Sequence, residues 1–124
     1  MARRNRTEVN FARLAGEAGF MVMQPRSIRI EEPVNDKNGV LKKIVTSPDF
    51  YVVVPDLDQG VHVEVTNSSG DTPHKQAQQR VVDKAGVTNY VVVSGEQIKE
   101  MADLITVEEK YRFLIKIFSS VLSF

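Results

Sequence analysis

The chain has 124 residues, of which 26% are charged, and its 16 basic and 16 acidic side chains give a formal net charge of zero at pH 7. This balance argues against a protein that binds nucleic acid through charge alone, and the absence of cysteine excludes disulfides, thiolate zinc sites and cysteine nucleophiles. No apolar run approaches the roughly 18 residues that would span a bilayer, so we expect one soluble, cytoplasmic domain over residues 1–124 with no membrane contact.

The chain begins with a predicted helix and a short strand. Thr7 is a possible N-cap for a helix over Thr7–Ala18, because the apolar residues of this segment recur on one side. Gly19 is expected to end the helix. Phe20–Gln24 has the apolar composition of a strand, and Pro25 is expected to break or bend it.

Two hairpins are predicted next. Ser27–Glu32 and Val40–Thr46 flank a loop at 35–39 that is dense in turn-forming residues, which predicts the first hairpin. Phe50–Val54 and Val61–Thr66 are joined by a turn at 55–60 and predict the second. In the last of these strands valines alternate with polar residues, so one face is expected to be apolar and the other polar.

The second half of the chain predicts three helices and a strand. A helix is expected over Pro73–Ala85, with proline in its first turn. A buried strand follows at Asn89–Val93, then a helix capped at its start over Ser94–Asp103, and a final amphipathic helix over 106–123. This order indicates an α/β fold with a central mixed sheet of four to five strands flanked by helices. The unit at 61–93 suits a right-handed crossover between parallel strands.

Two carboxylates occupy matching positions in the second predicted hairpin. Asp49 begins one strand, and Glu64 lies in the middle of the other, on the face that also carries His62 and Thr66. Neighbouring carboxylates repel each other unless they are protonated or bridged by a cation, and oxygen ligands of this kind suit Mg²⁺ or Mn²⁺. Both residues also have an ordinary interpretation, Asp49 as a turn residue after Pro48 and Glu64 as a solvent-facing residue of an amphipathic strand.

The pattern of Pro48 and Asp49 followed by Glu64 resembles the PD-(D/E)XK nuclease superfamily, and in particular the small archaeal-type Holliday junction resolvases and their phage and bacterial relatives. The resemblance covers about residues 6–93. Its further elements are Glu8 ahead of Gly19 and Phe20, the pair Arg26 and Ser27, Gln76, Gly86 and the strand Tyr90–Val93. It implies a restriction-endonuclease-like core that binds Mg²⁺ or Mn²⁺. The implied metal ligands are Glu8, Asp49, Glu64 and the carbonyl oxygen of Val65.

The resemblance also implies catalytic residues, with one departure from the family pattern. The family usually has a lysine two residues after the glutamate, where it orients the attacking water and stabilises negative charge, but Thr66 occupies that position here. Some members carry the lysine on the following helix, which makes Lys75 the candidate, with Gln76 beside it. The implied catalytic residues are therefore Asp49, Glu64, Thr66, Lys75 and Gln76. A mechanism that uses only the metal and a loss of catalysis are the alternatives.

Basic residues near the N terminus are candidates for contacts with nucleic acid. Residues 1–30 hold six arginines and only two glutamates. Arg3, Arg4 and Arg6 could bind backbone phosphates or belong to a solvated chain end. By the resemblance, Arg26 and Ser27 would lie near the scissile phosphate.

The sequence therefore predicts a metal-dependent endonuclease that hydrolyses phosphodiester bonds in DNA, including branched DNA. The apolar residues of the final helix are wider than one stripe, and a homodimer is expected from them. The same residues fit a nuclease that acts on RNA. A catalytically inactive member of the fold, which binds nucleic acid or a protein partner, is the alternative that Thr66 and the neutral net charge favour. A third possibility is an unrelated small α/β interaction domain.

Overall fold

The computed structural model describes residues 4–67 and 72–124, which form four helices and six strands. The helices are α1 (Arg6–Glu17), α2 (Pro73–Ala85), α3 (Gly95–Ala102) and α4 (Val107–Phe118). The strands are β1 (Met21–Met23), β2 (Ile28–Asn35), β3 (Leu41–Thr46), β4 (Phe50–Val54), β5 (Gln59–Thr66) and β6 (Tyr90–Ser94). The predicted elements occur in the predicted order, and the α/β class is confirmed.

A mixed four-stranded sheet lies at the centre, in the order β1-β4-β5-β6. Both β1 and β5 pair antiparallel with β4, whereas β6 pairs parallel with β5. The parallel strands are joined through α2, because such a pair needs a long crossover connection, and this agrees with the crossover predicted at 61–93. The predicted first hairpin, β2 and β3, forms a separate two-stranded sheet.

Side chains alternate along β5 between an apolar and a polar face, as predicted. Val61, Val63 and Val65 are buried in the main core, together with residues of β4, α1, α3 and α4. The residues between them point to the opposite face, where Glu64 contacts α2. The sheet therefore separates the main core from the face that carries the candidate site.

A smaller apolar cluster joins the β2–β3 hairpin to α2 on that second face. Its buried members are Ile28, Ile30, Val81 and Val82. Tyr90 of β6 packs against the cluster, so the hairpin, α2 and the central sheet are held together by continuous packing.

The start of α1 differs from the prediction. Asn5, not Thr7, is the N-cap: its side chain accepts the Glu8 N–H at 2.8 Å, and the Glu8 carboxylate accepts the Asn5 N–H at 2.9 Å. This reciprocal pair is a capping box. The prediction of Thr7 was wrong because an acidic residue follows Asn5, and not Thr7, at the spacing that a capping box requires.

The end of α4 also differs from the prediction, since the helix ends at Phe118 and does not reach residue 123. The Val121 and Leu122 N–H groups both donate to the carbonyl oxygen of Phe118, at 3.0 and 3.1 Å. These bonds close a turn, and the chain leaves the helix axis there. None of the described helices is long and apolar enough to cross a membrane.

Candidate functional site

The second hairpin brings Asp49 and Glu64 together at one end of the central sheet. Phe50 lies opposite Val63, and continuing this antiparallel register by one residue places Asp49 opposite Glu64. The Val65 N–H donates a 2.8 Å hydrogen bond to Asp49 Oδ2 and so fixes this carboxylate against β5. Glu64 is 4% exposed, so its interpretation as a solvent-facing strand residue is wrong.

Lys75 of α2 brings a positive charge to these carboxylates. Thr72 caps the helix by accepting the Lys75 N–H at 3.2 Å, and Pro73 occupies the first turn. From this position Lys75 Nζ donates to Glu64 Oε2 and, at 3.2 Å, to the carbonyl oxygen of Val65. An amine therefore reaches the site from the helix that follows β5, although Thr66, two residues after Glu64, has none.

The second oxygen of Glu64 is held by a chain of two polar side chains. Gln78 Nε2 donates to Glu64 Oε1 at 3.3 Å, and the Tyr90 hydroxyl donates to Gln78 Oε1. Lys75 and Gln78 are three residues apart on α2 and so share one face, whereas Gln76 is exposed. Sequence reasoning missed Gln78 and Tyr90, although the helical spacing from Lys75 was a signal that pointed to Gln78.

The start of α1 approaches the same carboxylates from the other side of the sheet. Glu8 lies close enough to Asp49 to raise the pKa of that carboxyl group. Glu8 Oε1 also lies 3.9 Å from Nη1 of Arg4, and the Arg4 guanidinium stacks on Phe50 with its Cζ 4.1 Å from the ring centroid. The predicted residues Glu8 and Arg4 therefore lie next to the Asp49–Glu64 pair.

Burial and the neighbouring acidic groups raise the pKa of Asp49 from 3.8 to about 7. Burial is the largest cause, and the charge of Glu64 and the nearby Glu8 side chain act in the same direction, against the opposing bond from Val65 N–H. Burial and the charges of Glu64 and Asp49 likewise raise the pKa of Tyr90. A bound cation would favour the charged form of Asp49.

The oxygen atoms at the site suit a magnesium ion. In the part of the chain that the structure describes, no three His, Cys, Asp or Glu side chains are grouped so as to hold a metal ion. The donors that converge are the carboxylates of Asp49 and Glu64 and the carbonyl oxygen of Val65. Mg²⁺ is commonly held by one or two carboxylates and keeps several waters, so this set fits one Mg²⁺ or Mn²⁺. Lys75 bonds two of these groups and would compete with the metal.

Several predicted residues lie around this centre. Thr66 is buried at the end of β5. Arg6 lines a cavity of about 680 Å³ between the starts of α1 and α3, with Lys99 on the opposite wall. Arg3 lies outside the described residues.

A cluster of rings lies further along the same face of the sheet. The Arg26 guanidinium stacks on Tyr51 with its Cζ 3.9 Å from the ring centroid, and the Tyr51 ring packs edge-on against His62. Burial, and then the charge of Arg26, lower the pKa of His62, and its Nδ1 has no hydrogen-bond partner among the described residues. Ser27 Oγ pairs with Ser47 Oγ at 2.9 Å. These residues border the site without contacting its carboxylates.

Comparison with known proteins gives no match to a family model, a curated protein or a solved structure. The interpretation of the site therefore depends on its own geometry. Its defining features are two carboxylates on adjacent strands and a lysine that reaches them from the next helix.

Proposed function

We propose that the protein is a metal-dependent endonuclease of the PD-(D/E)XK type that hydrolyses phosphodiester bonds in DNA. The observation that carries the proposal is the position of Lys75, whose amine meets Glu64 and the Val65 carbonyl oxygen beside Asp49. A surface lysine normally keeps its charged head in water, whereas this side chain is 15% exposed. A catalytic lysine that comes from α2, and not from position 66 of β5, accounts for the burial of this side chain.

The architecture supports a restriction-endonuclease-like core for this proposal. Asp49 directly precedes β4 and Glu64 lies within β5, and these are the inner strands of the four-stranded sheet. Glu8 of α1 lies close to Asp49, and Lys75 of α2 bonds Glu64, from opposite faces of the sheet. A site built on rigid elements in this way holds its charged groups in fixed positions, which hydrolysis of a stable bond requires.

The proposed chemistry assigns a role to each group. Asp49, Glu64 and the Val65 carbonyl oxygen would hold the metal, which would lower the pKa of a bound water and stabilise charge on the phosphoryl oxygens. The Lys75 ammonium would donate to the attacking water or to a non-bridging oxygen and so stabilise the negative charge of the transition state. Thr66 can form hydrogen bonds but cannot supply that charge.

The bond changes follow from attack by water on phosphorus. The water gives up a proton to solvent as its oxygen forms a bond to phosphorus. The bond between phosphorus and the 3′ oxygen breaks, and the 3′ oxygen takes up a proton from solvent. The products are a 5′-phosphate and a 3′-hydroxyl, as the family resemblance implies. The resemblance alone favours branched DNA, and RNA remains the alternative substrate.

A non-catalytic nuclease-like domain is the second candidate function, and one observation favours it. The opposite charges of Lys75 and Glu64 neutralise each other with little exposure to water, as they would in an ion pair whose role is structural. In that case the site would bind nucleic acid or a protein without cutting. This candidate predicts that Mg²⁺ does not bind, since Lys75 would keep its contacts.

Cleavage assays separate the two candidates. Branched, duplex and single-stranded DNA and RNA would be incubated with the protein and either Mg²⁺ or Mn²⁺, beside Asp49→Asn, Glu64→Gln and Lys75→Met. Lys116→Met, which removes an exposed lysine of α4, is the matched control. The proposal expects cleavage by the parent and the control and its loss in the other three. Cleavage that survives Asp49→Asn and Glu64→Gln would exclude this site as its source.

A homodimer is part of the proposal, because a branched substrate presents two strands to be cut. Its support is a set of exposed apolar side chains around α4 and the chain end, namely Ile105, Val107 and Phe124. Sedimentation velocity at several protein concentrations tests it. A monomer at every concentration would contradict this part of the proposal.

A further inference from the structure

A groove with several cationic side chains runs between the β2–β3 hairpin and α2. It encloses about 490 Å³ and is lined by three lysines, Lys37, Lys42 and Lys43, and by His74. Ile44, Val45 and Ala77 contribute an apolar floor. The groove therefore combines point positive charges with a surface that the carbon atoms of a sugar could contact.

The hairpin that forms one wall is fixed to α2. The Arg80 guanidinium donates to the carbonyl oxygens of Asn35 and Asp36, each at 2.9 Å. Together with the apolar cluster between the hairpin and α2, these bonds hold the turn of the hairpin in place. The backbone that carries these lysines is therefore fixed before a ligand binds, so the hairpin does not have to be ordered on binding.

The groove is positively charged, although the protein as a whole is neutral. Asp36 is the one carboxylate among its described lining residues. Its Oδ1 already accepts the N–H groups of Asn38 and Val40, at 2.8 and 3.0 Å. Its Oδ2 lies 3.8 Å from Lys42 Nζ, an exposed pair that binds weakly. Asp36 therefore offsets one of three lysines, and an anionic ligand would be attracted.

The groove and the candidate site share the first two turns of α2. His74 and Ala77 line the groove, and their neighbours in the chain, Lys75 and Gln78, contact Glu64. A polymer of phosphodiesters that enters the site could therefore continue into the groove without leaving the protein surface.

We propose that this groove binds the sugar–phosphate backbone of the DNA strand that flanks the bond to be cut. The inference rests on the proposed function, since the phosphodiester at the site determines what extends into the groove. It assigns the hairpin a role in substrate binding. Lys42 and Lys43 contact phosphates there and carry no sequence information, so they set affinity and not sequence preference.

The test is the salt dependence of DNA binding, measured by fluorescence anisotropy with labelled duplex and branched DNA. Asp49→Asn serves as the parent, so that cleavage does not interfere. The Lys42→Gln and Lys43→Gln double variant is compared with Lys84→Gln and Lys116→Gln, which removes the same charge from the far end of α2 and from α4. We expect affinity about 10-fold weaker in the groove variant and a salt slope smaller by about 2, since each phosphate contact contributes about 0.9. The control variant should keep both values.

The outcomes separate the groove from the proposed function. Equal affinity and slope in the groove and control variants would overturn the inference, even if the protein cleaves DNA. DNA binding that depends on the groove lysines would support the inference about the groove. If the unmodified protein does not cleave DNA, the proposed nuclease function is contradicted all the same. Lys37→Gln is a second groove variant, and a normal circular dichroism spectrum for each variant excludes misfolding as the cause of a loss.

Discussion

Lys75 and Glu64 form an ion pair with almost no contact with solvent, since their side chains are 15% and 5% exposed. Loss of either partner would leave the other charge buried and uncompensated, so breaking such a pair destabilises the folded protein. The same amine also bonds the Val65 carbonyl oxygen. A single side chain therefore neutralises Glu64, bonds a second oxygen of the proposed metal site and occupies the position proposed for the catalytic amine.

Lys75→Met should destabilise the metal-free protein. The variant leaves Glu64 buried without its partner, and we expect the free energy of unfolding to fall by about 3 kcal/mol at pH 8. Urea denaturation in the presence of a chelator measures this change. Adding Glu64→Gln to Lys75→Met should recover most of the loss, because no buried charge remains, and a double variant no more stable than the single one would contradict this account.

Lys75→Met should also bind Mg²⁺ more tightly than the parent. The amine occupies Glu64 and the Val65 carbonyl oxygen, so a metal must displace it, and in the variant no displacement is needed. Titration calorimetry should show affinity about 10-fold higher, although cleavage is lost. Lys116→Met, on α4, should bind as the parent does. Equal affinities in all three proteins would mean that Lys75 and the metal do not share ligands.

The pKa of Asp49 makes stability depend on pH. Its folded-state pKa is about 7, above the ordinary 3.8, so between these values the folded protein binds more protons than the unfolded chain. The free energy of unfolding should therefore fall as pH rises from about 4 to 7. Asp49→Asn keeps an oxygen that can accept the Val65 N–H but cannot ionise, and it should lack this component.

The expected difference is about 2 kcal/mol between pH 5 and pH 8, which is less than the full pKa change implies because Asp49 retains some contact with solvent. Thermal or urea denaturation of both proteins with a chelator present measures it. The exposed Asp103→Asn is the control and should follow the parent. Parallel stability curves for the parent and Asp49→Asn would show that Asp49 is not perturbed in this way.

Much of the fold could be predicted from the sequence because its signals are local. Strict alternation in Val61–Thr66 identifies both faces of β5, and the length of the second hairpin places Asp49 beside Glu64. The cap at Asn5 is also local and was missed only because Thr7 is an equally suitable residue type. The signals that indicate α2 and its bounds were all present in the chain.

The remaining features arise from contacts between distant segments. The attachment of the first hairpin to α2 depends on Arg80 donating to Asn35 and Asp36, 45 and 44 residues away, and no periodic pattern marks such a bond. The identity of the glutamine at the site depends on which face of α2 meets Glu64. That choice is set by packing, and it selects Gln78 over the predicted Gln76.

Gln78 should position Glu64, and Tyr90 should position Gln78. Gln78→Ala removes a buried donor, and we expect the free energy of unfolding to fall by about 2 kcal/mol, with a smaller fall for the exposed Gln76→Ala.

Tyr90→Phe removes only the hydroxyl that orients the Gln78 amide. It should raise the Mg²⁺ concentration needed for half-maximal cleavage several-fold while leaving the rate at saturating Mg²⁺ near that of the parent. An equal loss of rate at saturating metal would contradict a positioning role.

Moving the amine back along the chain tests whether position or identity matters. Thr66 shares a face with Glu64, two residues away on β5, so a lysine there would reach the same carboxylate that Lys75 now contacts. We expect Lys75→Met to reduce the cleavage rate by about 10²–10³-fold, and the double variant Thr66→Lys with Lys75→Met to recover about 10-fold of this loss. Thr66→Val with Lys75→Met should recover nothing, which shows that the charge is responsible. Thr66→Lys alone should lower stability, because two ammonium groups would then share one carboxylate. The double variant could be folded and bind DNA as the parent does but recover no activity. In that case a positive charge near Glu64 is not sufficient, and the amine must come from the position of Lys75 on α2.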